Sequence, residues 1–181
     1  PVLSYASYCL HNWYLLDSEE PIGLDNVALI NNFLGGIDED WFVTIHVCIE
    51  NAASKAINAS KEIANCTNES DEALVEDLLN KISISMAAVN EIFKRMPERC
   101  DPYVYYHRVR PFIFGSKDNP DLKNGVIYEG EYGNQSQFFR GETGAQSSIM
   151  PTLDGAMGIE HSEDSLRHYL NEMREYMPFE H

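Results

Sequence analysis

The feature that most constrains this sequence is a stripe of apolar residues at every third or fourth position between Val75 and Phe93. Its members are Val75, Leu78, Leu79, Ile82, Met86, Val89 and Phe93. This spacing is that of one face of an α-helix. Ser70 can cap the helix, Asp71 and Glu72 suit its first turn, and Pro97 ends it. The stripe therefore predicts a long amphipathic helix.

Two further helices are predicted on either side of it. Acidic residues at the start of the segment from Asp38 to about Cys66 favour a helix N-terminus, and its many small residues would let a neighbouring helix approach closely. The pair Asp101–Pro102 combines an N-cap with a proline at the first helical position. That helix should run to about Arg110, and Pro111 should bend or end it.

The N-terminal part of the sequence is less regular. The stretch from Tyr5 to Leu16 is apolar and aromatic, and its periodicity does not decide between a strand and a buried helix. A short helix is predicted from about Asp25 to Leu34, stopped by Gly35 and Gly36.

The C-terminal part is predicted to contain a long loop and a last helix. Residues 115–144 are rich in Gly, Asn, Asp and Ser, which predicts a long ordered loop. Ser162 is expected to cap the last helix. Because no strong hairpin signal occurs, the expected class is all-α, a helical bundle forming a single domain over residues 1–181.

The charge balance narrows the possible partners. Lysine and arginine number 13 against 29 aspartate and glutamate residues, which gives a net charge of −16. A uniformly acidic surface repels phosphate, so we expect neither nucleic acid nor a membrane surface as a partner. The four cysteines form no C-x-x-C pair, and we expect a reducing, cytoplasmic compartment.

Two single residues are candidates for chemistry. His46 lies among apolar neighbours and could be a core histidine bonded to a backbone carbonyl, or a polar group in a cavity. Arg108 and Arg110 stand two apart on a predicted helix, so at most one is expected to face the interior. An interior arginine needs an anion, which could be a buried protein carboxylate or a carboxylate of a ligand.

Two segments also allow a structural and a functional interpretation. Residues 141–148, Gly-Glu-Thr-Gly-Ala-Gln-Ser-Ser, could form an ordinary helix cap or a loop that closes on a ligand. The tyrosines Tyr103, Tyr105 and Tyr106 could pack in the core or wall a pocket for an aromatic substrate.

Several long segments resemble the signature region of the indoleamine 2,3-dioxygenase family. They are CDPYVYYHRVRPFIFGSKDNPDLKNGVIYEG, FRGETGAQSSIMPTLDGAMGIEHS and LNEMREYMP, with weaker matches at YASYCLHNW and FVTIHVCIENAASKAI in the family's order. The resemblance covers nearly the whole chain. It implies most of a large helical domain around a haem b, whose iron reacts with O2. The implied reaction inserts both oxygen atoms across the indole C2–C3 bond of tryptophan and gives N-formylkynurenine.

The resemblance also implies roles for individual residues. Arg110 falls on the arginine that grips the substrate carboxylate, and Tyr105 falls where the family often has a phenylalanine against the indole. His46 falls on a distal position, where it either acts chemically or only lines the pocket. Tyr5 and Phe42 fall on positions in the pocket wall. Thr143 and Gly144 fall on a loop beside the haem and the substrate ammonium.

The resemblance assigns no iron ligand within this sequence. The family's axial histidine lies on a helix beyond the MREYMP segment, and His181 is in the wrong segment to replace it. Two alternatives to the dioxygenase stay open. One is a related haem enzyme that rearranges halogenated tryptophan in antibiotic synthesis. The other is a helical fragment that is not catalytic and binds no haem by itself.

Overall fold

The computed structural model describes residues 3–66 and 71–179. Its six α-helices are α1 Ile37–Ile63, α2 Glu72–Lys94, α3 Pro102–Val104, α4 Arg110–Ile113, α5 Ile149–Met157 and α6 Ser165–Arg174. Short π-helices occur at Ala6–Leu10 and Tyr105–Val109. Two antiparallel pairs of very short strands complete the fold: β1 Trp13–Leu15 with β2 Val27–Leu29, and β3 Val126–Ile127 with β4 Ser136–Gln137. The chain is mainly α-helical, as predicted.

Helices α1 and α2 pack antiparallel and form the frame of the structure. Near the start of α1, the indole N–H of Trp41 donates to the carbonyl of Arg95 just after α2 (2.9 Å). Further along, Ser85 Oγ donates to the carbonyl of Ala52 (2.6 Å). The interface buries three alanines of α1 against apolar residues of α2 and α5. The alanines are Ala53, Ala56 and Ala59, and their partners are Leu78 and Ile82 of α2 and Ile149 and Leu153 of α5. The small residues of α1 thus permit the close approach that the sequence predicted.

Both predicted long helices are confirmed, although the stripe on α2 is only partly buried. Leu78 and Ile82 are buried, whereas Leu79 and Phe93 are 49% and 56% exposed. The predicted cap Ser70 lies outside the described residues, as does His181.

The helix predicted from Asp25 to Leu34 is wrong. Residues 27–29 form β2, which pairs with β1. The Asn26 side chain donates to the carbonyls of Asp17, Glu20 and Pro21 (3.0–3.1 Å). These bonds hold a turn that brings the two strands together, and a helix would break them. The segment from Tyr5 to Leu16 contains both of the structures that periodicity left open, a π-helix followed by β1.

Pro111 does not end the helix that begins at Pro102. Asp101 caps this helix as predicted, since its side chain accepts from the backbone N–H of Tyr103 and Val104. The π-helical turn at Tyr105–Val109 then resets the hydrogen-bond pattern, and α4 continues to Ile113. Proline therefore stands in the first turn of a new α-helical segment, where its missing N–H has no helical partner to lose.

The cap of the last helix was also misassigned. The residue that caps α6 is Asp164, whose side chain accepts from the backbone N–H of Arg167 (3.0 Å). Ser162 instead donates to Asp164 (2.8 Å). A carboxylate is a stronger acceptor for a helix N-terminus than a hydroxyl, and the serine supports it.

The long loop predicted at residues 115–144 connects α4 to the segment before α5, and its two ends lie side by side. Gly115 and Arg140 form a β-bridge, and the N–H of Gly141 donates to the carbonyl of Phe114 (3.1 Å). A Cβ on Gly141 would collide with the carbonyl oxygen of Ile113. Glycine is therefore required at this crossing, because the two backbones touch.

Candidate functional site

Aromatic side chains from three segments meet beside the α4 helix. The rings of Phe42 and Tyr105 stack with centroids 4.1 Å apart, and the His46 ring lies 4.2 Å from Phe42. Tyr5 meets His46 edge-on at 6.0 Å. Phe42 and His46 share a face of α1 because they are four residues apart. The structure thus brings together four of the residues predicted from the sequence, and we call Tyr5, Phe42, His46 and Tyr105 the aromatic cluster.

The His46 ring is tied to its own helix. Its Nδ1 lies 2.8 Å from the carbonyl oxygen of Phe42. A carbonyl only accepts, so Nδ1 carries the proton and Nε2 of the neutral ring is an acceptor. Burial lowers the pKa of His46, which keeps the ring neutral at pH 7. This is the backbone contact expected of a core histidine, and it leaves Nε2 able to accept a hydrogen bond.

The tyrosine run separates by exposure. Tyr103 and Tyr106 are 71% and 66% exposed, while Tyr105 turns inward. The buried hydroxyl of Tyr105 has no hydrogen-bond partner in the described part of the chain. Of the three tyrosines, the one that resemblance placed in the site is the one inside the protein.

A polar bridge joins the aromatic cluster to the loop before α5. The Tyr5 hydroxyl and Ser147 Oγ both donate to Glu50 Oε1, at 2.8 and 2.6 Å. The Tyr5 N–H donates to Gln146 Oε1 at 2.8 Å. Glu50, Gln146 and Ser147 were missed as site residues. Gln146 and Ser147 belong to the 141–148 stretch that had already been singled out, but Glu50 carries no local signal on α1.

Thr143 and Gly144 occupy the loop itself. The Thr143 hydroxyl caps the short 3-10 helix Gly144–Gln146 by accepting from the N–H of Ala145 (3.3 Å). This is the ordinary helix cap, one of the two interpretations that the sequence allowed for residues 141–148. Gly144 faces a cleft rather than the aromatic cluster, and a Cβ there would meet no atom within 4 Å.

That cleft lies between α5 and α6 and has a volume of about 770 Å³. Its apolar lining includes Met150, Pro151 and Leu170, and its charged lining has both signs: Arg167, Arg174, Asp154 and Glu160. Such a cleft can take a largely apolar group that meets polar groups at a few points. No group of three or more His, Cys, Asp or Glu side chains suited to a metal ion occurs among residues 3–66 and 71–179. Ser147 lines this cleft and also reaches Glu50, so the cleft and the aromatic cluster are neighbours.

Arg110 is the cation of the site. It is partly buried, whereas Arg108 is exposed, so one of the two faces inward as expected. No carboxylate of the described residues lies within the 4.0 Å ion-pair distance of its guanidinium. The internal ion pair that was one of two alternatives for Arg110 is therefore not formed in the described part of the chain.

An unpredicted carboxylate lies in the same region. Glu142 is 3% exposed, and its Oε1 has no hydrogen-bond partner in the described part of the chain. Burial raises the pKa of Glu142 to about 7, opposed by the positive charge of Arg110. The sequence did carry a signal, because a charged residue interrupts the small residues of Gly141–Gly144.

These features define a class: a mainly helical domain with a buried aromatic site, an unpaired arginine and an adjacent apolar cleft. The chain matches the family model for indoleamine 2,3-dioxygenase over residues 1–181. It therefore belongs to the indoleamine 2,3-dioxygenase family.

Curated relatives place the chain within that family. Indoleamine 2,3-dioxygenase 1 of Rattus norvegicus is 38% identical over 183 residues, which cover 100% of this chain and 45% of the relative. Indoleamine 2,3-dioxygenase of Saccharomyces cerevisiae is 32% identical, covering 100% and 43%. A 6-hydroxytryptophan 2,3-dioxygenase of Fusarium equiseti is 33% identical, covering 99% and 44%. The chain thus spans less than half the length of these relatives.

The helices of the described residues differ from membrane-spanning helices in length or in apolar character. Within the described residues, none combines the length and the apolar character needed to cross a bilayer.

Proposed function

We propose that the full-length protein is a haem-dependent dioxygenase that opens the indole ring of tryptophan or a close indoleamine with O2. The observation that carries the proposal is Arg110, a partly buried cation beside stacked aromatic rings with no carboxylate of the described residues within 4.0 Å. In a chain of net charge −16, such a cation is notable. A ligand carboxylate would complete it.

The two ends of tryptophan match the two parts of the site. The guanidinium of Arg110 can hold a carboxylate with two parallel hydrogen bonds, which fixes the position of the rest of the ligand. Phe42 and Tyr105 offer stacked faces to an indole ring. Neutral His46 presents an acceptor at Nε2, so we assign it a pocket-lining role in which it can accept a hydrogen bond or a proton.

The cleft beside Ser147 is where we place the haem. Met150, Pro151 and Leu170 would pack against the apolar ring, and Arg174 would meet one of its carboxylates, whereas Arg167 is already paired with Glu163 (3.1 Å). The loop residues Thr143 and Gly144 would lie at its edge. When bound, haem supplies the iron that activates O2. The protein contributes substrate orientation and the exclusion of water from an apolar site.

Substitution of Arg110 tests the proposal in the full-length protein supplied with haem. Arg110→Ala should raise the Michaelis constant for tryptophan strongly, because a desolvated carboxylate would lack its partner. The expected loss of binding free energy is on the order of 2–5 kcal/mol. Arg110→Lys should recover only part of this, since lysine lacks the planar fork. Tryptamine has no carboxylate and should hardly respond to either change.

The neighbouring Arg108 is a matched control. It is exposed and two residues away, so Arg108→Ala should change neither substrate. Equal losses for tryptophan and tryptamine in Arg110→Ala would show that Arg110 is structural, and the proposed substrate site would be wrong.

A further inference from the structure

We propose that Glu142 binds the ammonium group of an amino-acid substrate, so that Arg110 and Glu142 together recognise a zwitterion. This inference rests on the proposed function, because it takes the ligand to be an indole amino acid. Its basis is that Glu142 is buried and that one of its carboxylate oxygens has no hydrogen-bond partner in the described part of the chain.

The other interior carboxylates of this structure are bonded. Glu39 accepts four hydrogen bonds, and Glu50 accepts from Tyr5 and Ser147. Glu172 is paired with Lys117 and Arg140. Buried polar atoms without a partner are uncommon in folded proteins and call for an explanation. Within the residues described, only two such side-chain atoms occur, Glu142 Oε1 and the Tyr105 hydroxyl.

The backbone of Glu142 is held where the loop crosses the end of α4, and its side chain is 3% exposed. Its N–H donates to the carbonyl of Ile113 (3.0 Å), at the end of the helix that carries Arg110. The preceding Gly141 touches the same helix end, where no larger residue fits. The fold therefore sets the backbone position from which the Glu142 side chain extends into the interior.

The surroundings of Glu142 favour a cationic donor. Arg110 on α4 lowers its pKa, yet their charged atoms are farther apart than the 4.0 Å ion-pair distance. The other titratable groups that interact with it are neutral at pH 7: Tyr105 on the π-helix, and Tyr5, Tyr8 and Cys9 on the N-terminal segment. An arginine and a glutamate that are near but not in contact match the two opposite charges on the α-carbon of an amino acid.

The Tyr105 hydroxyl can complete this subsite. A hydroxyl both donates and accepts, so it can bond to the ammonium or to the carboxylate that receives it. Its ring already stacks on Phe42. The same residue would then contact the indole with its face and the polar end of the substrate with its oxygen.

The pH dependence follows from the same geometry. Burial raises the pKa of Glu142 to about 7, and the neutral carboxyl group cannot pair with an ammonium ion. Affinity for an amino-acid ligand should therefore fall as the pH drops from 8 to 6. Replacement of Glu142 by glutamine should remove that dependence.

Calorimetric titration with three ligands tests the inference in the full-length, haem-loaded protein. Tryptophan has both charges, tryptamine has only the ammonium, and indole-3-propionate has only the carboxylate. Glu142→Gln should weaken tryptophan and tryptamine by about 30-fold or more at pH 8 and leave indole-3-propionate unweakened. Arg110→Ala should weaken tryptophan and indole-3-propionate and spare tryptamine.

Glu39→Gln is the matched control, a neutralised buried glutamate whose oxygens are fully bonded in the protein. It should not discriminate among the three ligands. An equal loss for all three ligands in Glu142→Gln would overturn the ammonium assignment, as would a loss for tryptophan that disappears when the indole nitrogen is methylated. Failure of the unsubstituted protein to bind any of the three would instead overturn the proposed function.

Discussion

Glu39 and Glu142 are both buried, but they differ in how their carboxylate oxygens are hydrogen-bonded. Glu39, in the first turn of α1, accepts from the N–H groups of Phe33, Leu34 and Gly35, all at 2.8 Å, and from the Tyr8 hydroxyl at 2.9 Å. Oε1 of Glu142 has no hydrogen-bond partner in the described part of the chain.

From this difference we infer a structural role for Glu39 and a ligand-binding role for Glu142. Four donors around Glu39 replace the water it loses on burial, so its charge stabilises the fold and organises the loop before α1. Oε1 of Glu142 lacks such a donor in the described part of the chain. A buried charge without a partner destabilises the protein unless a ligand completes it. Burial alone therefore does not distinguish the two residues, and their hydrogen bonds do.

The largest expected effect concerns the crossing that positions Glu142. Gly141→Ala would drive a Cβ into the carbonyl oxygen of Ile113, so we expect a loss of more than about 4 kcal/mol in unfolding free energy. Chemical denaturation would measure it. Gly144→Ala, three residues on, is the control, because a Cβ there meets nothing within 4 Å. Equal stability of the two variants would mean that the crossing does not hold Glu142.

Neutralising Glu39 should have the next largest effect. Glu39→Gln replaces charge-assisted hydrogen bonds with weaker neutral ones and turns an amide N–H₂ toward groups that donate. We expect unfolding free energy to fall by about 3–4 kcal/mol. A variant as stable as the unsubstituted protein would show that the Glu39 charge does not stabilise the fold. The structural role inferred for Glu39 would then be wrong.

The smallest expected effect is of opposite sign. The pKa of Glu142 rises from 4.5 to about 7 on burial, so between these values the folded protein holds a proton that the unfolded chain has released. Stability from this group is therefore present at pH 4.5 and is lost as the pH rises to 7. Glu142→Gln removes the loss. It should raise unfolding free energy by about 3 kcal/mol at pH 8 and change it little at pH 4.5.

Unfolding curves for Glu142→Gln at both pH values, without substrate, would measure this gain. A destabilised variant at pH 8 would mean that the Glu142 charge has a partner in solution. The two glutamates would then belong to one class.

Local patterns predicted much of the fold. The helical periodicity and the cap at Asp101–Pro102 were correct because both depend on residues within a turn or two of each other. The failures arose where a distant contact competed with a local preference. Residues 27–29 became a strand because β1 and the Asn26 turn were available, and the helix passed Pro111 because a π-turn preceded it.

The residues of the candidate site also fall into those that the sequence predicted and those that only the structure identified. Resemblance of the motifs identified Tyr5, Phe42, His46, Tyr105 and Arg110 as one site, and the structure brings the aromatic members together. Glu50 and Glu142 were not predicted as site residues. Their neighbours lie far away in the sequence, as Ser147 does from Glu50 and as Ile113 does from Glu142.

By itself, the sequence determined the two long helices, the acidic charge, the motifs and the family that they indicate. Each of these is a property of short segments or of composition. The tertiary structure alone decided which buried carboxylate is satisfied and which is not. Whether a charge is compensated depends on donors within about 3 Å in space, and those donors come from residues that only the folded chain brings near.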